Sequence, residues 1–453
     1  MLERIFKLKE NKTNVRTEIF AGLTTFMTMA YIIVVNPNIL SGVGLGLPEG
    51  VAMDWGGVFV ATILAAVIGT LCMAFFANYP FALAPGMGLN AFFIFTVVLG
   101  DNGFGWKAAL TAVFVEGIIF LILTFINARE ALFNSIPLTL KYAVSAGIGL
   151  FIAFIGFQGS GVVVGGATLV TVASDMTQPS IVLAMVGLII TAILVSKKVK
   201  GSILIGILVT WGLAVIAELI GWYEAMPDMG LYSVIPTGVI GEIPSISPVL
   251  LKFDFSVLGS FNFWVIVFAF LFVDLFDTLG TLIGVSEKAG YLDKEGKLPR
   301  AKQALFADAV ATTAGACLGT STTTTYVESA AGVADGGRTG LTAVSVAVLF
   351  ALALPFSPIF MAIPAFATAP ALIIVGFYMM ASVTKIDFSN PRVGIPAFLT
   401  ILIMPITYSI SEGIAFGMIS YTLINALTGK AKDVHPLMYG ISAAFIIKYI
   451  LLS

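Results

Sequence analysis

The chain has 453 residues, of which 58% are hydrophobic and only 11% are charged, whereas a soluble domain has about 25% charged residues. This composition predicts an all-α polytopic membrane protein, and the net charge of −2 excludes the basic surface that nucleic-acid binding needs. The sequence has one histidine, His435, and two cysteines without metal-site spacing, Cys72 and Cys317, which argues against histidine proton relays and histidine-ligated metals. The charged N-terminal residues 1–18 lack the apolar core of a cleavable signal peptide.

Apolar stretches of about 20 residues, the length that a helix needs to cross hydrocarbon, recur from Ile19 to Leu427. We predict fourteen membrane-spanning segments, numbered here in chain order, at roughly 18–40, 57–77, 81–99, 107–127, 136–158, 179–196, 202–220, 262–284, 303–319, 321–335, 339–354, 358–383, 392–408 and 411–428. A polar, Pro-rich stretch, 221–260, separates segments 7 and 8. The remaining apolar stretch, Pro436–Leu452, is either a further span or an interfacial helix.

The distribution of Lys and Arg predicts a protein of the cell membrane with a cytoplasmic N-terminus, because positively charged loops stay on the cytoplasmic side. Five basic residues precede the first segment: Arg4, Lys7, Lys9, Lys12 and Arg16. Alternating segments place a second basic set on the same side: Arg129, Lys197, Lys198, Lys200, Lys288, Lys294, Lys297, Arg300, Lys302, Arg338, Lys385, Arg392, Lys430 and Lys432. Lys107 and Lys252 are the clear exceptions.

Segments 3 and 10 occupy corresponding positions in two halves, 18–220 and 262–428. Seven spans per half invert the second half relative to the first, as in inverted-repeat transporters, whose sites lie near the midplane between broken helices. Pro85 and Gly86 disfavour a continuous helix in segment 3, and the β-branched threonines 322–325 favour extended backbone in segment 10. We therefore predict short extended pieces that pair at the centre of the bundle, each followed by a half-helix.

Two acids, Asp274 and Asp277, lie in the apolar segment 8. Ionisable groups inside a bilayer are rare and usually line a substrate or ion path. The acids are three residues apart and Thr278 follows Asp274 by four, so the three side chains share roughly one helix face. This pattern indicates a substrate site in which one acid contacts the ligand and the other holds the scaffold or carries a proton. The alternative is that one acid only hydrogen-bonds a broken helix.

Glu328 follows Tyr326 at the start of the half-helix of segment 10. It either accepts hydrogen bonds from a ligand or stabilises its own helix N-terminus. Asn90 is its counterpart in segment 3 and offers both donor and acceptor groups. The rings of Phe93 and Tyr326 could stack on a flat ligand.

Other acids also fall within the predicted spans. Asp308, in segment 9, is a further candidate for proton coupling, whereas Glu116 and Glu412 are better explained as structural hydrogen-bonding groups or interface residues. The proton-coupling candidates are therefore Glu328, Asp274, Asp277 and Asp308.

The sequence contains no GxSxG, HExxH, Walker A or GxGD motif. The two acids of segment 8 lie on one helix, whereas an intramembrane aspartyl protease needs them on two facing helices. The lack of a nucleotide-binding domain argues against direct drive by ATP. We therefore expect a secondary transporter and not an enzyme, driven by an ion gradient and using no cofactor.

Four stretches together resemble the AzgA-like purine permeases of the nucleobase–cation symporter class, which are relatives of the uracil and xanthine permeases. The stretches are AGLTTFMTMAY (21–31), APGMGLNA (84–91), FVDLFDTLG (272–280) and STTTTYVES (321–329). The resemblance runs over nearly the whole chain. It implies a homodimer in which segments 1–4 and 8–11 form a core domain and segments 5–7 and 12–14 form a gate domain.

The resemblance also implies roles for site residues. In the family, an acid of segment 8 and an acid of segment 10 bind the base, and their positions in these motifs correspond to Asp274 and Glu328 in this sequence. Asn90 corresponds to the asparagine that the family carries in segment 3. Uracil-type relatives carry a histidine where Thr278 stands in this sequence. If protons are used, their coupling must therefore rest on a carboxylate.

The expected function is proton-coupled uptake of purine bases, with guanine or hypoxanthine preferred and adenine as a further candidate. Two alternatives within the same fold remain open: another nucleobase, uracil or xanthine, and an anion. A channel or a non-transporting receptor is the alternative from another class. A symporter moves its substrate uphill when a gradient drives it, whereas a channel or a receptor does not.

Overall fold

The computed structural model describes residues 2–43, 47, 50–100, 104–126, 136–166, 170–225, 232–292 and 298–452. The predicted end of segment 4, at 127, and the part 226–231 of the Pro-rich stretch lie outside the described residues. The α-helices are α1 (Leu2–Phe6), α2 (Val15–Met29), α3 (Ile32–Leu40), α4 (Trp55–Cys72), α5 (Met87–Ala91), α6 (Trp106–Phe125), α7 (Leu138–Gly159), α8 (Pro179–Ser196), α9 (Ser202–Leu219), α10 (Phe261–Ala289), α11 (Ala301–Leu318), α12 (Ser329–Ala334), α13 (Gly340–Ala353), α14 (Ser357–Met361), α15 (Ala365–Met380), α16 (Pro391–Ile406), α17 (Ile410–Asn425) and α18 (Pro436–Leu452). Turns of π-helix extend α4 over Met73–Ala77 and α5 over Phe92–Val98.

Ten helices in the described parts of the chain are long and apolar enough to cross a membrane. Three shorter apolar helices accompany them: Met87–Val98, Pro391–Ile406 and Pro436–Ile447. These helices confirm the prediction of an integral membrane protein with many spans. The count of fourteen in two inverted halves stays a prediction.

The two predicted extended pieces are present, and they pair with each other. Strand β1 (Leu83–Pro85) runs antiparallel to β4 (Thr323–Thr325), with Ala84 opposite Thr324. Backbone hydrogen bonds continue the pairing at both ends, from Gly86 N to the carbonyl of Thr322 and from Tyr326 N to that of Ala82. Both strands are fully buried, and each satisfies backbone groups of the other that would otherwise be unpaired at membrane depth.

A second antiparallel pair was not predicted. Strand β2 (Val163–Gly165) pairs with β3 (Val170–Val172) in the connection between α7 and α8. The predicted segment 12, at roughly 358–383, is present as the span Ala365–Lys385, but it starts later than predicted, because α14 ends at Met361 and α15 begins at Ala365. Pro364 lies at the start of α15 and has no N–H for a continuous ladder of helical hydrogen bonds.

The helices pack in two groups. In the first group, α2, α4, α6, α11 and α13 pack on one another around the paired strands, and α10 lies against α6. In the second group, α7, α8, α9, α15, α16 and α17 pack mainly among themselves. Helix α18 joins the second group, where Ser442 hydrogen-bonds Thr422 of α17 at 2.8 Å.

Close approach of α7 and α15 in the second group depends on glycine. A Cβ at Gly149 would lie 2.6 Å from the carbonyl oxygen of Gly376, and one at Gly376 would lie 2.4 Å from the carbonyl of Gly149. Helix packing through small residues is typical of membrane proteins, because the backbones can then come close together.

Candidate functional site

The candidate site lies where the paired strands end and the short helices α5 and α12 begin. Because β1 and β4 are antiparallel, α5 and α12 leave from opposite ends of the pair. Helix α10 runs past this point in contact with both β4 and α5. The fold therefore brings the acids of segment 8 beside the residues of segments 3 and 10, as the sequence predicted.

Glu328 stands directly before α12 and keeps part of its surface exposed. Its Oε1 accepts a hydrogen bond of 2.6 Å from the hydroxyl of Tyr31, a fully buried residue between α2 and α3. A carboxylate has about four lone-pair sites, so this bond leaves capacity to accept from a ligand. Tyr31 thus orients the carboxylate and leaves its other lone pairs available to a ligand.

Asp277 also keeps part of its surface exposed. Its carboxylate is close enough to those of Asp308 and Glu328 for electrostatic interaction. It also approaches segment 3, because a Cβ at Gly86 would lie 3.4 Å from Asp277 Oδ2. Asp277 therefore lies between the starts of the two half-helices.

Asp274, three residues earlier, is fully buried and belongs to a different set of contacts. The hydroxyl oxygen of Thr278 lies 2.9 Å from Asp274 Oδ1, 3.0 Å from Asp308 Oδ1 and 2.6 Å from Thr324 Oγ1. All four side chains are at most 1% exposed. This buried cluster, Asp274–Thr278–Asp308–Thr324, joins α10 and α11 to strand β4.

The geometry of the buried cluster limits how its protons are arranged. A threonine hydroxyl donates only one hydrogen bond, so Thr278 cannot donate to both carboxylates at once. The two Oδ1 atoms are at most about 6 Å apart, because each lies within 3.0 Å of the same hydroxyl oxygen. Two carboxylates at this spacing in a dry environment repel each other when both are ionised.

Asn90 is fully buried on α5. Its Oδ1 accepts a hydrogen bond from the hydroxyl of Ser321. Its amide nitrogen has no hydrogen-bond partner among the described residues. Because an unpaired buried donor is costly, Asn90 offers a donor that a ligand could satisfy.

The two predicted stacking residues have different surroundings. The Tyr326 hydroxyl donates a 2.5 Å hydrogen bond to the carbonyl of Pro85, so this side chain ties segment 10 to the end of β1. Its ring lies 6.5 Å from that of Tyr31, measured between centroids. Phe93 is fully buried and its ring packs edge-to-face against Phe270 of α10. The structure therefore places Phe93 in the packing between segments 3 and 8.

The second helix group closes the other side of the site. Tyr378 of α15, which is 51% exposed, is near enough to Glu328 for electrostatic interaction. A Cβ at Gly88 of α5 would lie 2.8 Å from Ile148 of α7. The exposed acids therefore lie between the two helix groups.

The arrangement provides hydrogen-bond acceptors at Glu328 and Asp277 and a donor at Asn90. Such a set can bind a neutral, polar ligand that has both donors and acceptors. No group of three or more His, Cys, Asp or Glu in the described ranges is arranged to hold a metal ion. The partly exposed carboxylates can also take up and release a proton.

Two residues of the site, Tyr31 and Ser321, were not predicted to belong to it. Both lie inside the stretches that carry the resemblance, 21–31 and 321–329. Tyr31 contacts a residue 297 positions away and Ser321 one that is 231 positions away. The one local signal is that Ser321 directly precedes the threonine run.

Comparisons with known proteins identify the family of the chain. A family model described as Permease family, Xan_ur_permease, matches residues 16–451. A chain of Methanocaldococcus jannaschii described as a permease is 50% identical over 100% of this chain and 99% of its own length. Guanine/hypoxanthine permease PbuG of Bacillus subtilis is 45% identical over 100% of both chains. Adenine permease AdeP of Escherichia coli is 41% identical over 100% of this chain and 97% of its own.

Among solved structures, the transmembrane domain of the cyanobacterial bicarbonate transporter BicA superimposes with a TM-score of 0.63. The match covers 88% of this chain and 97% of that one at 14% sequence identity, so it supports the fold alone. The family match, by contrast, spans nearly all of the sequence. The chain therefore belongs to the Xan_ur_permease family of permeases.

Proposed function

We propose that this protein takes up purine nucleobases across the cell membrane by proton symport. The observation that carries the proposal is the pair of partly exposed acids, Glu328 and Asp277, between the two helix groups. Asp277 lies beside Gly86, at the start of the half-helix that carries the Asn90 donor. Relatives at 45% and 41% identity that are named guanine/hypoxanthine and adenine permeases support the substrate class.

Purine bases have the chemistry that this site accepts. Guanine presents N1–H and an exocyclic amine side by side, and one carboxylate can accept both hydrogen bonds. Hypoxanthine keeps N1–H and loses one of these bonds. Adenine has an acceptor at N1, so it needs a protonated acid or an amide donor in that place. Guanine and hypoxanthine are therefore the preferred substrates.

Proton coupling rests on the carboxylates of the site. The candidates are Glu328, Asp277, Asp274 and Asp308. Because the base is neutral, these acids set the charge that must move through the membrane, and charge at the bilayer centre is costly. A proton taken up at the exposed pair would lower that cost. Repulsion within the buried cluster favours a second proton shared by Asp274 and Asp308.

The moving parts are the two helix groups. The first group, with the paired strands and the acids, is the core, formed by segments 1–4 and 8–11. The second group is the gate, formed by segments 5–7 and 12–14 in a fourteen-segment inverted repeat. The core rocks against the gate around a fixed site, as in other inverted-repeat transporters. The protein is a homodimer with its N-terminus in the cytoplasm.

The direct test is uptake of radiolabelled hypoxanthine and guanine by permease-deficient cells, with and without a protonophore. Wild type is compared with Glu328→Gln, Asp277→Asn and a control, Glu224→Gln, which changes an exposed acid outside the predicted spans. The proposal expects protonophore-sensitive uptake that the two site variants lose and the control keeps. Absence of purine uptake in wild type contradicts the substrate class, and uptake that ignores the protonophore contradicts proton coupling.

A further inference from the structure

The orientation of the Asn90 amide is set by one neighbour. Ser321 is fully buried, and its hydroxyl donates to Asn90 Oδ1 as its one hydrogen bond among the described residues. With the amide oxygen engaged in this way, the amide nitrogen is left as the group without a partner. The side chain therefore presents a donor, and not an acceptor, to a ligand.

Rotating the Asn90 amide, so that its nitrogen and oxygen exchange places, would cost Ser321 the acceptor of its hydrogen bond. If the amide rotated, its nitrogen would donate to the serine oxygen, and the serine proton would need another acceptor. Among the described residues this buried hydroxyl bonds to no acceptor other than Asn90 Oδ1. A buried hydroxyl without an acceptor is unfavourable, so Ser321 favours the orientation with the donor facing the ligand.

An acceptor lies close to this donor. The backbone N–H of Asn90 bonds to the carbonyl of Gly86 at 2.8 Å, so the two residues are one helical turn apart. One turn is about 5.4 Å along the axis. Asp277 Oδ2 lies beside Gly86, 3.4 Å from the position that a Cβ added to Gly86 would take. Along the first turn of the segment 3 half-helix, the structure therefore places a donor from Asn90 and, from the neighbouring helix α10, an acceptor from Asp277.

This donor–acceptor order distinguishes two kinds of purine. A 6-oxopurine has an acceptor at O6 and a donor at N1–H, which match Asn90 and Asp277. A 6-aminopurine has the reverse order, with a donor at the 6-position and an acceptor at N1. It would place two donors face to face at Asn90 and two acceptors face to face at Asp277, so its binding requires both rotation of the amide and protonation of the acid.

We infer that Ser321 is a positioning residue that makes the site selective for 6-oxopurines by fixing the Asn90 amide. The inference rests on the proposed purine transport and adds the residue that sets its selectivity. Ser321 acts through Asn90 and does not itself contact the base.

The test compares the KM values of hypoxanthine and adenine in whole cells for wild type, Ser321→Ala and Ser321→Thr. We expect wild type to have the lower KM for hypoxanthine. Ser321→Ala removes the cost of rotating the amide, so its adenine-to-hypoxanthine KM ratio should fall roughly tenfold, which is about 1.4 kcal/mol. Ser321→Thr keeps a hydroxyl and should keep the ratio. The control Ser420→Ala removes a hydroxyl that bonds only carbonyls of its own helix, those of Phe416 and Gly417.

A second variant keeps the inference testable if Ser321→Ala fails to reach the membrane. Asn90→Asp replaces the donor by an acceptor, so the ratio should move in favour of adenine. A lower KM for adenine in wild type overturns the inference, and so does a ratio that Ser321→Ala leaves unchanged. In both cases purine uptake by wild type is retained, so the proposed transport of purine bases stands, whereas a lower KM for adenine would contradict the stated preference for guanine and hypoxanthine. Loss of the proposed function is recognised separately, by a wild type that takes up neither base.

Discussion

At the scale of single residues, neighbouring acids of one helix occupy different environments. Asp277 keeps part of its surface exposed and interacts with Glu328, whereas Asp274 is fully buried in the cluster with Thr278 and Asp308. Asp277 is therefore the better-placed acid for the ligand. Asp274 is better placed to hold α10 against α11 or to share a proton.

The buried cluster yields a prediction about Thr278. Thr278→Val keeps the shape of the side chain but removes the hydroxyl that lies within 3.0 Å of both Asp274 and Asp308. We expect uptake to fall at least about tenfold, because the variant removes the one hydroxyl that can donate to either of the two buried carboxylates. Thr278→Ser should retain most of the uptake.

The matched control for this variant lies on the same helix. Thr281→Val removes a hydroxyl that bonds only backbone carbonyls of its own helix, those of Asp277 and Thr278. Initial uptake rates are measured at equal membrane abundance of each variant. Equal rates for Thr278→Val and Thr281→Val would show that the shared hydroxyl is not needed.

At the scale of elements, the paired strands determine where the site forms. The Pro–Gly sequence of segment 3 and the threonine run of segment 10 predicted their extended backbone, and β1 and β4 confirm it. Local patterns did not identify the contacts Tyr31–Glu328 and Ser321–Asn90, since each joins distant parts of the chain. The sequence also did not separate Asp274 from Asp277, because the rotation of α10 about its axis decides which side chain faces the site.

Gly86 provides the element-scale prediction. A Cβ at this position would lie 2.9 Å from Thr324 Cγ2 of the paired strand and 3.4 Å from Asp277 Oδ2. Contacts this tight in a close-packed interior force the strands or Asp277 to move. We expect Gly86→Ala to abolish most uptake.

The control for Gly86→Ala is Gly105→Ala, at the start of α6, where a Cβ would meet no atom within 4 Å. It should transport like wild type. Uptake and membrane abundance are measured for both variants. Wild-type uptake by Gly86→Ala would contradict the close packing that we describe at the strand pair.

At the scale of the whole molecule, one ion pair connects the two helix groups at the side predicted to be cytoplasmic. Lys200 lies between α8 and α9 of the second group, and Asp335 follows α12, which packs against α2 of the first group. Thr24 of α2 also donates to Asp335, at 2.6 Å. The pair is partly exposed, so it adds little stability, but its position allows a test of relative movement.

We expect that linking the two groups at this pair stops transport, because rocking needs the groups to separate there. Lys200→Cys with Asp335→Cys is made in a background of Cys72→Ser and Cys317→Ser, and a reducible thiol cross-linker is applied. Uptake should be lost on cross-linking and restored by reduction. As a control, cysteines are placed at Ala431 and Tyr439, where the Tyr439 hydroxyl donates to the Ala431 carbonyl at 2.9 Å. Both residues are exposed and lie beside or on α18, so this pair should cross-link without loss of uptake. Full uptake by the cross-linked Lys200–Asp335 variant would contradict a rocking core and gate.

The central claim is that a proton gradient drives purine uptake through the acids at the centre of the molecule. The measurement that tests it most directly is hypoxanthine accumulation in proteoliposomes under an imposed pH gradient, acidic outside, without sodium. Our account predicts accumulation above the external concentration for wild type, none without the gradient, and none for Glu328→Gln. Accumulation that is independent of the gradient, or equal in wild type and Glu328→Gln, would contradict the account.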